Sequence, residues 1–222
     1  MNKAKIRAVI FDMDGVLVDS EVDFIKRLRR VLQKQRIVPP EQMLVEMVGA
    51  GEKLLNDILQ RYLPQITWSK LVKAFLADCV TFPLDYPGLL FADVKPFLAF
   101  LRSNGYRVGL ASASELPTVR KVLEDCELVT FFDTIYSGTD VVNSKPHPEI
   151  YLKAAAAMQV EPAECLIVED SEYGIRAAVA AGAGVVAARR DCHFNLDQSA
   201  ADIIFDDMRE LEAVLAKDKQ GD

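Results

Sequence analysis

Two aspartates one residue apart, Asp12 and Asp14, end the apolar run Ala8-Val9-Ile10-Phe11. That run has the length and composition of a buried strand, which puts the Asp-x-Asp-Gly at the strand's carboxyl end. In open α/β sheets ligands bind outside that end. Two acids so close repel each other and lose solvent there, so they need a cation, a shared proton or a hydrogen-bond network. The pair therefore reads as metal-assisted catalytic carboxylates. Three further polar clusters fall at comparable places downstream: Ser112-Ala113-Ser114, Lys145 within Ser144-Lys145-Pro146-His147-Pro148, and Glu169-Asp170. Each sits at the end of an expected strand or in the loop after one, so a parallel sheet would bring all four to one rim.

These residue types fit phosphoryl transfer. Asp12 would attack phosphorus and form an aspartyl phosphate, splitting one hard hydrolysis into two easier steps. Asp14 would protonate the leaving oxygen and then take a proton from water. Mg²⁺ prefers hard oxygen ligands and keeps several waters, so Asp12 and Asp170 would hold it with Glu169 nearby. Lys145 and the Ser112 hydroxyl would hold the phosphate oxygens on which transition-state charge lies.

The elements that must position these groups follow from periodicity. After Ser20, apolar residues recur at helical spacing in four stretches, through Phe24 to Leu32, Met43 to Val48, Leu54 to Tyr62 and Leu71 to Val80. Pro39-Pro40 closes the first stretch and Gly49-Ala50-Gly51 breaks the second. Residues 82–90, with Pro83, Pro87 and Gly88, read as a return linker. From Val94 onward helices alternate with the short strands Arg107 to Ala111, Thr134 to Tyr136, Cys165 to Val168, Val185-Val186 and Ile203-Ile204, and Met208 to Leu215 forms a closing helix. Ser171 suits the start of the helix that Gly182 ends, and one of Ser112 and Ser114 is expected to cap the helix that follows them. The fold class expected is α/β: a doubly wound, parallel-sheet, Rossmann-like core with a small all-helical cap inserted after the first strand. The core would span residues 1–19 and 88–222 and the cap residues 20–87, leaving a polar tail from Lys217. Hinged at residues 18–20 and 82–90, such a cap would close over the site and exclude water.

Bulk properties narrow the function. At 222 residues, 50% apolar and 27% charged, the chain has the composition of an ordinary soluble globular protein. A net charge of −7 argues against nucleic acid, which calls for a basic patch. Lys3, Lys5 and Arg7 precede only four apolar residues, too few for a signal peptide, and the Ala/Gly-rich residues 177–188 are too short to span a bilayer. The four cysteines form no CxxC pair and read as thiols of a reducing compartment, so the expected setting is cytoplasmic, away from membranes, as a monomer or weak homodimer. His147 between two prolines reads as structural, and Cys192-His193 as a surface loop.

The motifs Asp12-Met13-Asp14-Gly15-Val16-Leu17-Val18-Asp19-Ser20, Ser112, Lys145 and Val168-Glu169-Asp170-Ser171 resemble the haloacid dehalogenase-like hydrolase superfamily, in its order and across nearly the whole core. More narrowly, they are similar to its β-phosphoglucomutase and sugar-phosphate phosphatase branch. The resemblance implies that Asp12 is nucleophile and Mg²⁺ ligand, and that Asp14 is general acid/base and ligates the metal through its backbone carbonyl. It also implies that Ser112, Ala113 and Lys145 bind phosphate and that Asp170 is a metal ligand, with Glu169 beside it. The substrate implied is a small phosphorylated metabolite, a sugar phosphate above all. The alternative within the branch is a phosphosugar mutase. Such mutases carry a cap histidine where this chain has Phe24, and an arginine near the turn where it has Gly51-Glu52-Lys53. Hydrolysis requires neither. A non-catalytic binding module would be expected to lack one of the four clusters, and none is missing.

Overall fold

The computed structural model describes residues 5–219, and side chains through residue 216. Lys3 and the last three residues of the polar tail lie outside the described residues. Six strands form one parallel sheet in the order β3-β2-β1-β4-β5-β6. They are β1 (Ala8–Phe11), β2 (Arg107–Ala111), β3 (Thr134–Tyr136), β4 (Cys165–Glu169), β5 (Val185–Arg189) and β6 (Ile203–Phe205). Because β1 pairs with both β2 and β4, the strand order reverses there, and a crevice opens at the carboxyl ends of these three strands.

Alternation along each central strand splits the core into two layers. Val9 and Phe11 of β1, Val108 and Leu110 of β2, and Leu166 and Val168 of β4 pack with α6 (Val94–Ser103), α7 (Leu116–Asp125) and α10 (Arg209–Lys219). Ala8, Ile10 and Ile167 face the other way, toward α8 (Glu149–Ala157) and α9 (Glu172–Ala181). Helices on both faces leave the central strands wholly buried, which is why β1 and β4 read as continuous apolar runs.

The helices α1 (Glu21–Lys34), α2 (Glu41–Met47), α3 (Glu52–Tyr62) and α4 (Trp68–Thr81) enclose an apolar cluster of their own around Leu28, Leu32, Met43, Leu44 and Leu59. Buried Asp78 on α4 ties α1 to it, meeting Arg27, Arg30 and Lys34. The two segments that join this unit to the sheet run side by side. The Asp19 amide donates to the Leu89 carbonyl at 2.9 Å and the Phe91 amide to the Leu17 carbonyl at 3.1 Å.

Some local expectations shift. The first cap helix ends at Lys34, well before Pro39-Pro40, because Arg36 turns into the left-handed region at φ 61°. The return segment holds a one-turn helix, α5 (Tyr86–Leu89), whose Asp85 carboxylate accepts from the Gly88 amide. Ser171 does cap α9, accepting from the Gly174 amide at 3.1 Å, and Gly182 ends it at φ 77°. Neither Ser112 nor Ser114 caps α7, whose first turn starts from Glu115 without a side-chain cap.

Candidate active site

Asp12 leaves β1 with its amide donating to the Val168 carbonyl at 2.9 Å, so its side chain starts at the rim beside β4. The chain then folds back tightly, Leu17 donating to the Met13 carbonyl at 2.8 Å and Gly15 to the Val18 carbonyl at 2.8 Å. Gly15 takes φ 72°, and a β-carbon on it would overlap the Asp170 carboxylate. Only glycine lets this turn lie against Asp170.

The four sequence clusters meet here. Lys145 is buried and its Nζ stands 2.9 Å from Asp12 Oδ1 and 2.6 Å from Glu169 Oε1. Burial works against its charge, but Asp12 and Glu169 reverse the effect and hold the ammonium above its ordinary range. Both Asp14 carboxylate oxygens are taken by hydroxyls, Oδ1 by Ser20 at 2.6 Å and Oδ2 by Ser114 at 2.8 Å. Ser112 is fully buried and its Oγ accepts from the Ser114 amide at 3.0 Å, which leaves its own hydroxyl proton to donate. Ala113 lines the cavity in front of the aspartates.

Asp12, Glu169 and Asp170 each bring a carboxylate oxygen within 4.8 Å of the others. Burial pushes the Asp12 carboxyl up to about 7; Lys145 opposes this, while Glu169 and Asp14 add to it. Asp170 is likewise raised, by burial and then by Glu169 and Glu21. Its Oδ1 is buried without a hydrogen-bond partner among the described residues. Glu169 is different. Oε1 accepts from Lys145 and from the Tyr151 hydroxyl, and Oε2 from the amides of Asp170 and Ser171 and from the Ser171 hydroxyl. Its lone pairs are spent on protein donors, and burial notwithstanding, Lys145 keeps its carboxyl below the usual range.

Sequence reasoning missed several participants. Ser20 and Ser114 hold Asp14, yet both sit inside motifs where an adjacent hydroxyl was the available signal. Tyr151 on α8 reads as plain helix core from its spacing, although its hydroxyl ends on Glu169. Gln198, in a polar loop without periodicity, donates at 2.7 Å to the Asp170 carbonyl. Glu21 is buried with its carboxyl raised by burial and by Asp14 and Asp12, the Gly49 amide opposing them. His147 plays the structural part expected of it, its Nδ1 accepting from the Glu149 amide at 3.2 Å.

The turn between α2 and α3 meets the core directly. A β-carbon on Gly49 would overlap Ser171, and one on Gly51 would overlap Ser144. Behind the turn a cavity of 340 Å³ runs from Asp12 and Asp14 into the helical unit.

The family model for haloacid dehalogenase-like hydrolases matches residues 6–182. The chain belongs to the haloacid dehalogenase-like hydrolase family. Among curated proteins it is 32% identical to hexitol phosphatase B of Escherichia coli over 80% of this chain and 81% of that one. It is 29% identical to phosphoglycolate phosphatase of Shigella dysenteriae over 95% and 93%. Among solved structures, β-phosphoglucomutase from Clostridium difficile superposes with a TM-score of 0.81 at 24% identity, covering 97% of this chain and 98% of that one. At that identity the likeness speaks for the fold, including the helical insertion after the first strand. No helix among the described residues is long and apolar enough to cross a membrane.

Proposed function

We infer that this protein is a Mg²⁺-dependent phosphatase hydrolysing a small phosphorylated metabolite through an aspartyl phosphate on Asp12. The observation that carries this reading is the juxtaposition of Asp12, paired with Lys145 at 2.9 Å, and Asp14, held by two serine hydroxyls, at the mouth of one cavity. Asp12 attacks phosphorus while Asp14 gives a proton to the departing alkoxide. Water then attacks the aspartyl phosphate, Asp14 takes its proton, and phosphate leaves with Asp12 restored. Lys145 and the Ser112 hydroxyl hold the phosphoryl oxygens, beside the Ala113 segment.

The acids fit a divalent cation. Asp12, Asp14, Glu169 and Asp170 gather around the buried cation Lys145, and Asp170 keeps a bare buried oxygen. Asp12 and Asp170 would hold Mg²⁺ by their carboxylates and Asp14 by its backbone carbonyl, since its carboxylate is occupied. Glu169, whose oxygens are already saturated, would steady Lys145 and the start of α9. When bound, the cation offsets carboxylate repulsion and lets Asp12 ionise for attack. Residues 20–87 form the cap over residues 1–19 and 88–222.

The relation to hexitol phosphatase B supports an ester of sugar size. Against a mutase, which must hold a second phosphate, Arg27 is the one cation on the cavity wall among the described residues, and Asp78 already pairs with it at 3.3 Å. The test is phosphate release from sugar and other monoesters with Mg²⁺ and no bisphosphate, with Asp12→Asn alongside. Release abolished by Asp12→Asn is expected. Isomer interconversion without release would point to the mutase, and turnover by the substituted protein would overturn the covalent route.

A further inference from the structure

The cavity that receives the ester's leaving group is walled by carbon. From the helical unit it takes Phe24, Leu55, Trp68, Leu71, Val72 and Phe75. Its 340 Å³ lies in the range of small-molecule sites and equals the liquid volume of about eleven waters. A polyol placed there needs partners for each hydroxyl, because a buried hydroxyl without one costs on the order of 1–3 kcal/mol.

Arg27 and Glu52, on the cap side, are already bound to protein. Arg27 gives Nη1 to Asp78 at 3.3 Å and Nη2 to the Phe82 carbonyl at 2.7 Å. Glu52 accepts from Trp68 Nε1 at 2.9 Å. The other polar wall residues gather at the catalytic end, where Ser20 and Ser114 bind Asp14, Glu115 and Thr118 follow Ser114, and burial, then the Asp14 charge, raises the Tyr86 hydroxyl. Charge points the same way. Glu52 and Glu115 line the wall, and its cation, Arg27, is neutralised, so an anionic leaving group meets repulsion.

We propose that the substrate is a phosphate monoester whose leaving group is uncharged and turns an apolar body, a short alkyl chain or an aromatic ring, into this cavity. The proposal rests on the hydrolytic reading above and narrows it to a substrate class. Neither a polyhydroxylated chain nor a carboxylate matches a wall that is mostly carbon and whose Arg27 and Glu52 are already paired.

The experiment measures phosphate release by the full-length enzyme with Mg²⁺ on ethyl, butyl and hexyl phosphate, sorbitol 6-phosphate and 2-phosphoglycolate. Hexyl and sorbitol esters have equal carbon count and differ in hydroxyls; ethyl phosphate and 2-phosphoglycolate differ in a carboxylate. We expect kcat/KM to rise about threefold to fourfold per methylene until the cavity is filled, with hexyl phosphate above sorbitol 6-phosphate and ethyl phosphate above 2-phosphoglycolate. Val72→Phe, which narrows the cavity, should shrink the hexyl-to-ethyl ratio by about tenfold. A flat alkyl series, or sorbitol 6-phosphate or 2-phosphoglycolate as the better partner of its pair, would overturn the apolar substrate and leave hydrolysis standing. Release from none of the esters would overturn hydrolysis itself, and this inference with it.

Discussion

Gly174 offers a sharp test of how the site is held, because two physical effects predict opposite signs for Gly174→Ala. It lies inside α9, where alanine is ordinarily better than glycine by about 1 kcal/mol. Here a β-carbon would overlap all three carboxyl atoms of Glu169. Glu169 is fully buried and has no free volume to retreat into, since its oxygens carry Lys145, Tyr151, Ser171 and the Asp170 amide. Overpacking of this kind costs about 1–3 kcal/mol, and disturbing a buried ion pair costs about 3–5 kcal/mol when it is lost outright. With part of the pair retained and the helix gain subtracted, the net expectation is a loss of about 2–4 kcal/mol, or roughly 4–16 °C in Tm for a chain of this length. Lys145 is displaced with Glu169, so kcat for phosphate release should fall by about a hundredfold. Thermal melts and steady-state kinetics read both. The control is the same change in a Glu169→Ala background, where the methyl finds the vacated space and Gly174→Ala turns neutral or stabilising. A Gly174→Ala protein with raised Tm and wild-type kcat would refute the placement of Glu169 and Lys145.

The raised carboxyls set a pH dependence. Asp12 is lifted from the ordinary aspartate range to about 7 by burial and, against Lys145, by Glu169 and Asp14, so the folded state holds a proton that the unfolded state has released. Stability in chelator should therefore fall between about pH 4 and pH 7, by a few kcal/mol, on the order of the three-unit shift; Mg²⁺ should restore Tm at pH 8, and a melt that rises with pH over that window in chelator would contradict this. Asp78→Ala should lose about 3–5 kcal/mol by chemical denaturation, because it leaves Arg27 buried without its carboxylate. Ser114→Ala removes a hydroxyl at 2.8 Å from Asp14 and should lower kcat about tenfold or more while KM moves little; an unchanged kcat would remove Ser114 from the proton path.

The motif residues were legible in sequence because their information is local. Asp12 and Asp14 announce themselves by ending an apolar run, and Lys145 and Glu169-Asp170 by ending or following others. A parallel sheet then needs no further detail to collect them, and β1, flanked by β2 and β4, collects them at the strand reversal. Side chains that act across long separations carried no such mark. Tyr151 looks like any residue on the buried face of α8, and Gln198 like any loop amide, since what matters is where β4 and the 191–198 loop pass them. Helix ends were misjudged for a related reason. The sequence points to Pro39-Pro40 as the stop for α1, but a left-handed Arg36 ends the helix earlier, at a residue type that gives no sign of it. The cavity wall was hidden most completely. The helical spacing of Phe24, Leu55, Leu71 and Phe75 marks them as apolar faces, yet spacing does not say whether a face closes on another helix or stays open beside Asp12 and Asp14. Leu28 and Leu71 do both, belonging to the helical cluster and to the cavity wall at once. If the leaving group enters this cavity, substrate choice follows from the residual space left when four amphipathic helices fail to close completely. Such a gap is a property of the packing as a whole, and no motif encodes it.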